Sequence, residues 1–292
     1  MEKSLKLIIA FFSVVLVLFV GFFLFKHQSN ASNSSGWDYQ HPDMWKDMFP
    51  KDCAGSKQSP IDITFGDDMV TKQTMEFIWN NYQNPPENMT LTNNGHSVQL
   101  DVQWKMNHWI PYLSVEEDSP EYVFSNLHFH WGAHNTEGSE HTINGHGLPL
   151  EVHMVHFKRE YKTIVNASNY QDGIMVIASF YNVTSKNSTA IQDIINAAEK
   201  VRDEGSSAHI DNFLLSDFEV LRDTPSWVSY NGSLTTPRCL EVVTWFLALK
   251  PYDMTEDQIK KIRSLKLSHG DDHDNRPTQP LNGRKIFYYE FR

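Results

Sequence analysis

LHFHWG, residues 127–132, sets two histidines one residue apart among Leu127, Phe129 and Trp131. In an extended chain alternate side chains share a face, so His128 and His130 look one way while the apolar residues look the other. Two imidazoles aimed at one point suggest a shared ligand. An isolated His-x-His fits hydrogen-bonded polar residues on a half-buried sheet equally well, so the neighbouring strands decide. EVHMVHF, residues 151–157, reads as another such strand, with Glu151, His153 and Val155 on one face and His156 on the other. A strand placed beside the first could bring His153 up to His128 and His130. Three neutral imidazoles with a fourth position open is the catalytic form of a zinc site, whereas a structural site is closed by a fourth protein ligand. Glu151, one pleat from His153, is well placed to hold that ring.

Other His-x-His metal sites fit poorly. A cupin wants a glutamate three or four residues further on, where this chain has His134 and Asn135. A metallo-β-lactamase-like site wants an acid two residues on, where Gly132 stands.

Composition bounds the rest. The chain has 292 residues, 40% hydrophobic and 13% aromatic, enough to build a sizeable core. Its formal net charge of -11, with no long Lys/Arg run, argues against nucleic acid as a partner. With two cysteines, Cys53 and Cys239, a cysteine-rich zinc module is excluded.

After a short tail over 1–6, residues 7–25 (LIIAFFSVVLVLFVGFFLF) form an unbroken apolar run between Lys6 and Lys26. Nineteen such residues exceed a signal-peptide core of roughly 7–15 and reach spanning length, roughly 17–25. The segment therefore reads as an uncleaved signal anchor, and the chain as a type II single-pass membrane protein. The alternative is a signal peptide cut after Ala31, giving a secreted chain. In either case the bulk of the protein leaves the cytosol. Sequons at Asn30, Asn33, Asn88, Asn166, Asn182, Asn187 and Asn231 agree: seven stand where composition alone gives about three. In an oxidising compartment the two cysteines would pair, the alternative being two unrelated buried thiols.

Residues 26–36 form a polar stem, and 37–292 read as one sheet-dominated domain. Strand-like runs cover 97–104, 122–131, 150–157, 173–181 and 241–249. Capping boxes at Thr189–Gln192 and Thr255–Gln258 open two short helices, expected to run to about Arg202 and Leu265. The fold class is α+β: a large, mostly antiparallel sheet with a few peripheral helices.

LHFHWG, SEHT at 139–142, EVHMVHF and NGSLTTPRCLEVVTW at 231–245 resemble an α-class carbonic anhydrase. So do NNGHS at 93–97, QSPIDI at 58–63 and RPTQPLNGR at 276–284, with every block in the family's order over about nine-tenths of the chain. The resemblance implies that His128, His130 and His153 bind zinc. It implies that Thr235 accepts a hydrogen bond from zinc-bound hydroxide and donates its own to a buried carboxylate, Glu140. Val155, Val176, Leu234 and Trp245 match the apolar wall for carbon dioxide, and Thr236 the bicarbonate side. Tyr39 and His96 match the wet side of the cavity, His96 as proton shuttle, and Cys53 and Cys239 match the disulfide of exported members. The implied reaction is reversible hydration of carbon dioxide to bicarbonate and a proton. The alternative is a catalytically weak, related surface module for binding or adhesion; such proteins typically lose zinc histidines, and here all three stand. A non-specific zinc esterase would be a side activity of the same site.

Two residues depart from the family pattern. Asn126 stands where a glutamine usually bonds the first zinc histidine, and being one methylene shorter it predicts a longer or water-mediated bond. Arg238 replaces a common proline, adding a cation near the cavity rim. His134, His141, His146, His209, His269 and His273 read as solvent-facing or structural, and His156 as a core histidine.

Overall fold

Alternation of apolar and polar residues along residues 122–158 is resolved into two long antiparallel strands, Tyr122–Trp131 and Leu150–Lys158. The computed structural model describes residues 36–290 apart from 67–68, 73 and 212. The expected tail, apolar segment, nearly all of the stem, and the sequons Asn30 and Asn33 lie outside the described residues. Asp38 onward forms one compact unit. Among the described residues no helix is long and apolar enough to cross a membrane.

The two strands are central to a thirteen-stranded mixed sheet. Val98–Gln103 flanks them on one side, antiparallel to Tyr122–Trp131. Ile174–Thr184 flanks them on the other, antiparallel to Leu150–Lys158. Beyond it, Val243–Ala248 pairs parallel to Ile174–Thr184 and antiparallel to Ser226–Gly232. The sheet is thus mostly antiparallel, as expected of this fold class.

Register is what builds the site. His128 stands opposite His153 and His130 opposite Glu151. One row along, Asn126, Val155, Val176, Trp245 and Tyr230 are successive cross-strand partners. An irregularity at Ser125 makes this register possible. Phe124 and Asn126, two residues apart, would share a face in a regular strand. The extra residue lets Phe124 enter the core while Asn126 joins the histidines, the re-aiming that a β-bulge performs.

The opposite face carries Leu127, Phe129, Trp131, Val152 and Met154, all buried in the larger hydrophobic core. Helices are few and short. Glu256–Arg263 opens as expected, with Thr255 and Gln258 forming a reciprocal capping box. The box expected at Thr189 does not form. The helix there is Gln192–Ala198 with Ile191 at its N-cap, shorter than the expected run to Arg202. The Gln192 side chain accepts from Gln258 Nε2 at 2.8 Å and donates to Asn196, so it is not available to Thr189. In the turn before the helix Ser188 Oγ accepts the Ile191 N–H at 3.4 Å, and no side chain caps the helix itself.

Candidate active site

Each of the three paired-strand histidines has one ring nitrogen engaged, which fixes where the other points. His130 Nδ1 donates to the Asp274 carbonyl at 2.7 Å, leaving the Nε2 lone pair. His153 Nε2 donates to Glu151 Oε1 at 2.7 Å, leaving Nδ1. His128 Nδ1 donates to Asn126 Oδ1 at 3.3 Å, leaving Nε2. These tautomers follow from the partners, since a carbonyl or carboxylate oxygen only accepts. The three remaining nitrogens converge, each within 4.8 Å of the others.

His153 Nδ1 and His128 Nε2 are 3.3 Å apart. A tetrahedral zinc with bonds of 2.0–2.1 Å places its ligand nitrogens about 3.3–3.4 Å apart, so this spacing suits that metal. His130 Nε2 is buried and has no hydrogen-bond partner. An orphan buried acceptor costs free energy unless something fills its place, and a cation held by the three rings would do so. The residues fit zinc.

Electrostatics prepare the same state. Burial first, then the neighbouring His130 and His153, push His128 well below the ordinary imidazole range. Burial and His153 bring His130 down to about 3, and burial lowers His153 against the pull of Glu151. All three rings are therefore neutral at physiological pH, the form in which imidazole ligates a metal.

Two buried carboxylates flank the rings. Burial would raise Glu151, but the facing His141 and His153 hold it below the ordinary carboxylate range. Glu151 accepts from the His141 backbone N–H at 2.9 Å and from His141 Nδ1 at 2.7 Å. His141 Nε2 in turn lies 2.6 Å from the Tyr230 hydroxyl, itself 2.8 Å from Ser59 Oγ. Glu140 is different. Burial and the Glu151 charge push it up, and the Thr235 hydroxyl and Arg276 oppose them. Its Oε1 accepts the Arg276 N–H at 3.0 Å, and its Oε2 lies 3.5 Å from His130 Nε2. The Glu140 loop needs a glycine at Gly138: φ is +130°, and a Cβ would meet Gly132 N at 2.4 Å.

Thr235 is buried on a loop tied down at several points. Leu234 N–H donates to Leu240 O at 2.9 Å and Cys239 N–H to Thr236 O at 2.7 Å. Trp245 Nε1 donates to Ser233 O at 3.1 Å. A disulfide joins Cys239 to Cys53, with Cα atoms 4.9 Å apart. Val155, Val176 and Trp245 form a buried apolar cluster with Leu234 packed against it, and the Trp245 ring stands 4.8 Å from that of His153. Thr236 is half-buried beside Thr235.

Residues 40–290 match the family model for eukaryotic-type carbonic anhydrases. The chain belongs to that family. It is 32% identical to carbonic anhydrase 6 of Mus musculus over 263 residues, covering 86% of this chain and 80% of that one. It is also 32% identical to carbonic anhydrase 7 of Homo sapiens, covering 86% and 96%, and 30% identical to carbonic anhydrase 3 of Bos taurus, covering 85% and 95%. The family is zinc-dependent and acts on carbon dioxide and bicarbonate.

The two departures from the family pattern have visible consequences. The Asn126–His128 bond, at 3.3 Å, is longer than the 2.7 Å bonds holding His130 and His153. Arg238 extends outward and pairs with Asp52 at 2.9 Å, so its charge is partly neutralised. Tyr39 is 2% exposed, its ring against Trp45 at 5.6 Å and its N–H donating to Asp271. His96 is half-buried in a turn next to the His-x-His strand. His156 lies on the far face, 2.6 Å from the Tyr82 hydroxyl, and burial lowers it to about 3.

Sequence reasoning misses the supports of the site. His141 is fully enclosed and forms a second cluster with Glu151 and His153; its place beside Glu140 in SEHT was the available signal. Arg276 and Gln58 stand in quoted family blocks without an assigned role. In the folded chain Arg276 Nη1 donates to Gln58 Oε1 at 3.0 Å and Ser59 O at 2.8 Å, bracing the segment that holds Glu140. Asp274 acts on His130 through its carbonyl, and no side chain marks that.

Proposed function

We propose that this chain is an active carbonate dehydratase, hydrating carbon dioxide to bicarbonate with one zinc on His128, His130 and His153. The observation that carries this reading is the convergence of three neutral imidazole nitrogens, one of them buried and unpartnered, beside an apolar wall. Zinc held there would acidify a coordinated water from about 15.7 to about 7, a magnitude established for carbonic anhydrases.

The chain's own residues do the rest. Thr235, whose hydroxyl acts on the Glu140 carboxyl, would offer its oxygen as an acceptor to a group held at the metal. That would favour a protonated oxygen over an unprotonated ligand beside Thr235. Val155, Val176, Leu234 and Trp245 exclude water where an apolar, linear substrate rests. Thr236, half-buried beside Thr235, would line the bicarbonate side. Glu151 holds His153 and keeps it a strong donor, and Asn126 does the same for His128 over a longer bond. His96 carries the released proton toward solvent, its imidazole suited to that exchange.

The disulfide supports folding in an oxidising, extracytoplasmic compartment. We assign residues 7–25 as a signal anchor and Asn30, Asn33, Asn88, Asn166, Asn182, Asn187 and Asn231 as glycan acceptors. Asn166, Asn182, Asn187 and Asn231 are exposed and Asn88 is half-buried. Intact mass of the exported protein reads both: a chain starting at Ser32 means a cleaved signal, and loss of mass on deglycosylation counts the glycans.

Stopped-flow hydration with a pH indicator tests the activity. Wild-type protein should accelerate proton release, and a zinc chelator should abolish the acceleration until zinc is restored. Zinc-loaded protein that leaves the uncatalysed rate unchanged would make the chain a binding module.

A further inference from the structure

His96 does not stand alone at the edge of the site. The 94–97 turn is closed by Asn94 Oδ1, which accepts the N–H groups of His96 at 2.9 Å and Ser97 at 2.8 Å. Ser97 Oγ donates to the Phe129 carbonyl at 2.5 Å, between His128 and His130. This fixes the His96 backbone to the strand that bears two of the metal-binding imidazoles. A second turn docks on the first: Ser268 N–H donates to Gly95 O at 2.7 Å, and Asp271 N–H closes back on Ser268 O at 3.2 Å. Between Ser268 and Asp271, His269 adopts φ 60° and ψ 5°, the left-handed region. That conformation sets its exposed ring over His96, with centroids 6.4 Å apart and planes at 29°.

We infer that His269 is a second station on the proton path, taking the proton from His96 and giving it to buffer in bulk solvent. This rests on the functional reading above. The proton released on hydration makes His96 an imidazolium; His96 returns to neutral as His269 gains the proton, and a buffer base removes it from His269. His96 is half-buried and His269 exposed, so the second ring extends the path to bulk solvent. Charged groups facing His96 are His269, Glu204 and Asp271. Burial and His269 lower the His96 imidazolium stability against the pull of Glu204 and Asp271, so a proton does not rest on the inner ring.

The test uses the full zinc-loaded chain and the substitution His269→Asn, because asparagine tolerates the left-handed backbone and keeps the turn. In dilute buffer kcat for carbon dioxide hydration should fall about three- to tenfold while kcat/KM is unchanged. A concentrated small imidazole buffer should restore kcat to within about twofold, since it replaces the outer station. The kcat–pH profile should move its relay limb upward, because removing His269 removes a group that depresses His96. Wild-type kcat for His269→Asn in dilute buffer would overturn the inference, as would equal loss of kcat and kcat/KM, which marks a structural effect. Absence of hydration by the wild type in concentrated imidazole would instead overturn the functional reading.

Discussion

His153 and His156 lie three residues apart on one strand, both buried, both with burial depressing their pKa, and they face opposite sides of the sheet. On the far side His156 meets the Tyr82 hydroxyl and sits among aromatic rings, Phe124 at 5.7 Å and Tyr82 at 6.3 Å. On the near side His153 has one nitrogen on Glu151, and the other faces His128 across 3.3 Å. Burial alone therefore does not make a candidate metal ligand. What separates the two is a carboxylate that fixes the tautomer and two further imidazoles delivered by register.

The largest effects should divide along that line. His130→Ala should reduce zinc content from one per chain toward zero and abolish hydration with it. His156→Ala should keep zinc stoichiometric and cost about 2–4 kcal/mol of stability through the space and the unpartnered Tyr82 hydroxyl it leaves. Zinc analysis and thermal melts on the two variants check this. Equal zinc in both would dissolve the distinction between the faces.

Within the near face, holding the metal and orienting its ligand are separate tasks. Thr235→Ala should retain zinc while turnover falls about 10²–10³-fold, by analogy with loss of one oriented donor at an oxyanion site. Turnover at the wild-type level would remove Thr235 and Glu140 from the mechanism.

The disulfide lies outside the two faces and should act on stability. It spans 186 residues, for which the chain-entropy model gives about 5 kcal/mol, with about 2–4 more usual in practice. Reduction should lower the melting temperature by roughly 4–15 °C without releasing zinc. Zinc loss on reduction below the melting temperature would show that the bridge holds the metal centre itself. The smallest effect concerns the long bond to His128. Asn126→Gln should shorten it and tighten zinc affinity by a few-fold to about tenfold, at the low end of what such partners supply. Unchanged affinity would mean the 3.3 Å bond is already sufficient.

The convergence of the histidines was legible because strand alternation has period two: His128 with His130, and Glu151 with His153, need only the pleat to share a face. Family blocks then supplied Glu140 and Thr235, which sit on loops where no periodicity speaks. Contacts made through main-chain atoms stayed hidden. Asp274 holds His130 by its carbonyl and Arg276 holds Glu140 by its N–H, so neither role depends on residue type. The Ser125 irregularity was equally silent, since a bulge is a property of two strands together. At Thr189 a sound local motif lost to a tertiary contact, because Gln258 claimed the Gln192 amide.

Zinc titration of the metal-free, full-length protein, with carbon dioxide hydration followed at each addition, tests whether one zinc on the three histidines carries the activity. Activity should rise linearly to one zinc per chain and then stay constant. Hydration that persists at full strength without zinc, or a fully loaded protein with no hydration, would contradict it.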